Sequence, residues 1–103
     1  MNKITIMVTP HDNERYPYLK RFLTYFEQTN SPPKIFVGDS SPGPISDNRM
    51  LQQLEAPHVT YKKFSHNTRF EKKIEKSLEK ISTPYAAICS EDDLINIEAI
   101  KKA

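Results

Sequence analysis

Apolar positions along the chain switch between two spacings. Ile4, Ile6 and Val8 alternate in a short β-prone run that ends at Thr9-Pro10, which predicts a strand. From Tyr16 onward, Leu19, Phe22, Leu23 and Phe26 fall at i, i+3, i+4 and i+7, the apolar stripe of an amphipathic helix. Asn13 is its expected N-cap, Pro17 is tolerated in the first turn, and Ser31-Pro32-Pro33 stops it. The consecutive run Ile35-Phe36-Val37 predicts a strand covered on both faces, and Asp39-Ser40-Ser41-Pro42-Gly43-Pro44 reads as a loop. Met50, Leu51 and Leu54 behind Asp47 predict a short helix, and residues 58–64 a third strand. Phe70, Ile74, Leu78 and Ile81 form a second helical stripe, closed by Thr83-Pro84. Tyr85 to Cys89 reads as a fourth strand, expected from its composition to be buried, and Asn96 reads as the cap of a helix beginning at Ile97.

The order of these elements is β-α-β-α, the trace of an α/β fold. Right-handed crossovers give a mostly parallel sheet in the order 3-2-1-4, flanked by helices as a three-layer, Rossmann-like half. No repeat, low-complexity tract or linker divides residues 1–103, so they read as one unit.

Composition narrows the chemistry. Lys plus Arg is 15 and Asp plus Glu is 13, a net charge of +2 that gives no electrostatic reason to expect nucleic acid or an anionic membrane as partner. Two glycines, Gly38 and Gly43, cannot build a glycine-rich phosphate loop or a dinucleotide fingerprint. The single Cys89 excludes an internal disulfide and a C-x-x-C pair, and His11, His58 and His66 lack the spacing of a zinc hydrolase. No stretch reaches membrane-spanning length and no signal-peptide core is visible, so the expected location is the cytoplasm.

In an open parallel sheet, ligands bind at the carboxyl ends of the strands, near the point where strand order reverses. The residues just past the strands are Thr9-Pro10-His11-Asp12, Asp39-Ser40-Ser41 and Glu91-Asp92-Asp93, and the expected order brings all three sets to one rim. Adjacent carboxylates repel, and a hard divalent ion such as Mg2+ or Mn2+ is the simplest compensation; its open positions suit diphosphate oxygens. The plainer reading is a solvated loop at the amino end of the next helix.

Ile4-Thr5-Ile6-Met7-Val8-Thr9-Pro10 with Asn13 and Arg15, then Ile35-Phe36-Val37-Gly38-Asp39-Ser40-Ser41, then Thr83-Pro84-Tyr85-Ala86-Ala87-Ile88-Cys89-Ser90-Glu91-Asp92-Asp93-Leu94-Ile95, together resemble the amino-terminal half of a family 2-like glycosyltransferase of the GT-A fold. The resemblance implies that Thr9, Pro10 and His11 meet the base and ribose of a nucleotide and that Asp39 accepts a hydrogen bond from the base, commonly uracil. It also implies nucleotide contacts from Arg15 and from Lys72 or Lys73. Asp92 matches the last acid of the family's D-x-D metal motif and Asp93 the acid that often comes after it. Ser90 stands where the first acid belongs, and Glu91 substitutes for it only if the loop adjusts.

The resemblance thus implies a nucleotide-sugar-binding half of a glycosyltransferase, with a UDP-sugar as the expected donor, Mn2+ or Mg2+ as cofactor and an unidentified acceptor. The acceptor site and general base of the family lie further along the chain than Ala103, so residues 1–103 are expected to be a truncated domain that transfers nothing alone. Apolar surface left open by a missing half is expected to favour self-association. The rival readings are a non-catalytic α/β interaction module or degenerate remnant, and a receiver-type phosphoacceptor. The latter is disfavoured because Thr9-Pro10-His11 stands where its acidic pair belongs.

Overall fold

The computed structural model describes residues 3–29 and 31–90. Four parallel strands form one sheet: β1 (Ile4–Val8), β2 (Lys34–Asp39), β3 (Val59–Lys63) and β4 (Tyr85–Ile88), in the order β3-β2-β1-β4. Three helices connect them: α1 (Tyr16–Glu27), α2 (Asn48–Leu54) and α3 (Phe70–Leu78). This is the expected α/β architecture and strand order. Among the described residues no helix is long and apolar enough to cross a membrane.

One face of the sheet carries the main core. Parallel pairing puts Ile6 beside Ile35 and Val8 beside Val37, and alternation sends these four side chains to the same side. There they meet Leu19, Phe22, Leu23 and Phe26 of α1 and Met50 and Leu54 of α2, in a cluster whose members are all buried. Phe22 and Phe26 touch edge to face, their centroids 5.1 Å apart. Burying a ring of this size stabilises the fold by about 1.5–3 kcal/mol.

Local polar chemistry sets the helix ends on this face. Asp12, not Asn13, begins the first turn: its extended backbone lets the carboxylate accept from the Glu14 amide at 3.0 Å, and a 3-10 turn over Asn13–Arg15 leads into α1. Asn13 instead clasps Gly43, accepting from its amide at 3.0 Å and donating to its carbonyl at 3.3 Å. Asp47 caps α2 by accepting from the Met50 amide at 3.1 Å, and its other oxygen takes Lys20 Nζ at 2.8 Å, tying α2 to α1. That lysine, with the cap amides, holds the exposed Asp47 carboxyl below its ordinary value.

The opposite face is built differently. The apolar stripe Phe70-Ile74-Leu78-Ile81 is only partly covered: Ile74 and Ile81 are half-buried, but Phe70 is 52% exposed and Leu78 50% exposed. The buried residues of α3 are Lys73 and Ser77, one helical position before the stripe. Gly38 explains how they get there. A Cβ at Gly38 would meet Ser77 Oγ at 3.3 Å and the Phe64 ring at 3.2 Å, so the bare glycine leaves room for Ser77 to settle on β2, which turns this side of α3 to the sheet. The expectation that β4 is buried is also corrected. β4 is a sheet edge among the described strands, with Tyr85 65% and Ile88 53% exposed; only Cys89, beyond its end, packs partly on the core. The helix expected from Ile97 lies outside the described residues.

Candidate functional site

The carboxyl ends of the strands are stitched together by backbone bonds. The Ser40 amide donates to the Pro10 carbonyl at 2.9 Å, joining the loop after β1 to that after β2. The Phe64 amide donates to the Asp39 carbonyl at 2.7 Å, joining β3 to β2, and the Cys89 amide extends the β1–β4 ladder to the Met7 carbonyl at 2.9 Å. Loops held in this way keep their polar side chains in place before any ligand arrives.

Over this rim opens a cleft of about 780 Å3, lined by residues of all four strand-end segments, Thr9, Ser40, His66 and Ser90 among them. Lys73 reaches it from α3. Its side chain is buried at 3% exposure, and Nζ donates to Ser40 Oγ at 2.9 Å and to the Thr9 carbonyl at 3.3 Å. An ammonium withdrawn from water is costly unless oxygens replace its hydration. These two do so, and they fix the charge where β1 and β2 end. Arg15 lines the same cleft, donating to Ser90 Oγ at 3.4 Å with its guanidinium 4.8 Å from the centre of the Tyr18 ring. Asp12 and Glu14 also border it, so the lining is mixed in charge, with its buried cation at the floor.

Asp39 lies behind this rim. Its side chain is fully buried; Oδ2 accepts from the hydroxyls of Tyr61 at 2.6 Å and Tyr16 at 2.7 Å, and Oδ1 accepts from the Ser41 amide at 2.9 Å. Lys63 Nζ stands 3.6 Å from Oδ2 and donates to the Ser41 carbonyl at 2.6 Å. Burial pushes the carboxyl up, but the hydrogen bonds from Tyr61, Ser41 and Tyr16 outweigh it, and Asp39 titrates below its ordinary value. The tyrosines move the other way. Burial first, then the bond to Asp39, pushes Tyr16 up to about 12, and Tyr61 is raised further by the same causes. Both oxygens of this carboxylate are thus already engaged, one by two hydroxyls and the other by an amide.

Of the residues singled out in the sequence, Thr9, His11, Arg15 and Lys73 converge on the cleft. Pro10 is buried beneath it, its carbonyl spent on Ser40. Of the two neighbouring lysines, Lys73 faces the cleft, whereas Lys72 points to solvent beside Glu75 at 3.8 Å. Glu91, Asp92 and Asp93 lie outside the described residues, although Ser90, immediately before them, borders the cleft. Among the described residues no group of three or more His, Cys, Asp or Glu side chains is arranged to hold a metal ion.

Sequence reading missed His66, Thr68 and Phe70, which line the cleft from the connection between β3 and α3 and from the first residue of α3. The signal was available, because the rule that picked the loops after β1, β2 and β4 applies equally to the loop after β3. His66 Nδ1 lies 2.9 Å from the Ser40 carbonyl. A carbonyl only accepts, so Nδ1 carries the proton, and in the neutral ring Nε2 is the acceptor. Compared with known proteins, the chain matches no family model and no curated sequence.

Proposed function

We propose that the cleft binds the nucleoside diphosphate of a sugar donor and that the chain is the donor-binding portion of a glycosyltransferase. The observation that carries this reading is Lys73: a buried ammonium, anchored by Thr9 and Ser40, at the floor of a cleft on the carboxyl edge of a 3-2-1-4 parallel sheet. That edge is where such sheets take nucleotides, and a fixed cation beneath it favours a phosphate in the cleft through its field. Thr9, His11 and Arg15 supply further polar contacts from the loop after β1. Departure of a sugar from a diphosphate builds negative charge on the leaving group, and cations fixed in advance favour that charge. Asp92, with Asp93 or Glu91, is the proposed holder of Mn2+ or Mg2+, which would supply further charge neutralisation at the diphosphate.

A thermal-shift series with UDP, GDP and CDP, each with and without Mn2+, tests the reading. Binding to the folded state raises the melting temperature, and a ligand at a hundred times its Kd adds about 2.7 kcal/mol of stability. The expected result is stabilisation by UDP that is enhanced by Mn2+, with the enhancement lost in Asp92→Ala and the nucleotide effect reduced in Lys73→Met. Indifference to every nucleotide would favour the interaction-module reading, which the exposure of Phe70, Leu78, Tyr85 and Ile88 supports.

A further inference from the structure

Two features of the cleft are at odds with a base read by Asp39. The carboxylate is already engaged by Tyr16, Tyr61 and Ser41 and has no surface exposure. Meanwhile a large aromatic ring, Phe70, stands 52% exposed in the cleft lining next to His66 and Thr68. We propose that the Phe70 ring is the platform on which the ligand's nucleobase stacks. The inference rests on the nucleotide-binding reading and adds to it the part of the site that receives the base.

The chemistry fits the placement. A nucleobase presents a flat π-face that gains from an aromatic surface and an edge of polar atoms that must stay hydrogen-bonded. Phe70 offers the first, while Thr68 and the Nε2 acceptor of His66 offer partners for the edge or the ribose. His66 is fixed from behind by the Ser40 carbonyl, the same residue whose hydroxyl holds Lys73. Phe70 and Lys73 are three residues apart on α3, neighbours on one helix surface with about 5–6 Å between their Cβ atoms. One turn of α3 thus presents a stacking ring and a buried cation to the base and phosphate ends of one nucleotide. The apolar residue that failed to join the core is placed where a base could cover it.

Calorimetric titration of the chain with UDP and, separately, with pyrophosphate tests this. Phe70→Ala should weaken UDP binding on the order of tenfold, leave pyrophosphate binding unchanged and be rescued by Phe70→Tyr. Unchanged UDP affinity in Phe70→Ala would overturn the platform and leave the nucleotide reading standing. An equal loss for UDP and pyrophosphate would also overturn it, since the ring would then only shape the cleft. No UDP binding by the unaltered chain would overturn both.

Discussion

The two faces of the sheet solve the same packing problem in opposite ways. On the α1 and α2 face, the whole apolar stripe of α1 is driven to the sheet with Met50 and Leu54 of α2, and Leu19, Phe22 and Phe26 have no exposed surface. On the α3 face the helix lays Lys73 and Ser77 against β2 and leaves Phe70 and Leu78 half open. The first arrangement maximises buried apolar area. The second gives up some of that area to bring a charge to the ends of β1 and β2. The first face thus holds most of the buried apolar core, while the second sends Phe70 and Lys73 of α3 to the cleft, opposite Glu14 and Arg15 from the turn before α1.

Breaking the first face should cost most. Phe26→Ala removes a fully buried ring and is expected to destabilise the fold by about 3–5 kcal/mol, read from urea unfolding at constant m-value. A loss under about 1 kcal/mol would mean that the core is looser than its burial indicates.

The Asp39 cluster comes next, since it underlies the rim without belonging to the cleft. Asp39→Asn leaves two buried hydroxyls without a charged acceptor and should cost about 2–4 kcal/mol. Its pH dependence carries a sign. Because the folded-state value lies below the ordinary 3.8, the carboxylate contributes fully above that pH. As pH falls below it the unfolded chain takes up the proton first, and the contribution is lost. At the alkaline end the raised Tyr16 reverses the order: above 10.0 the unfolded chain ionises first, and stability falls as pH climbs toward about 12. A stability-against-pH curve should show both limbs, with the acid limb flattened in Asp39→Asn.

The smallest effect belongs to the open shoulder. Leu78→Ala, at 50% exposure, should change stability by less than about 1 kcal/mol. A loss equal to that of Phe26→Ala would show that something covers this helix in solution and would erase the contrast between the faces.

The contrast also explains how much of the molecule is legible in its sequence. The strands, their order and α1 are legible because a periodic apolar run has one low-energy way to meet a sheet, and in α1 the stripe and the buried face coincide. In α3 the period is legible and the face is not. Periodicity says that a helix has two sides; which shoulder touches the sheet is decided by Gly38, far off in sequence, and by the bonds from Lys73 to Thr9 and Ser40. The same limit hides the tyrosines. Tyr16 and Tyr61 lie 23 and 22 positions from Asp39 on either side, and nothing local announces that they share one carboxylate. Composition alone predicts a buried β4, but composition does not record that a strand is an edge.

The proposed nucleotide site lies above all on the α3 side of the strand-end rim, and an amide-resolved NMR titration of the chain with UDP tests that proposal residue by residue. Shifts are expected to concentrate at Thr9, His11, Ser40, Thr68 and Lys73, with α2 silent. Shifts confined to α2 and the β3 edge, or none at saturating UDP, would contradict it.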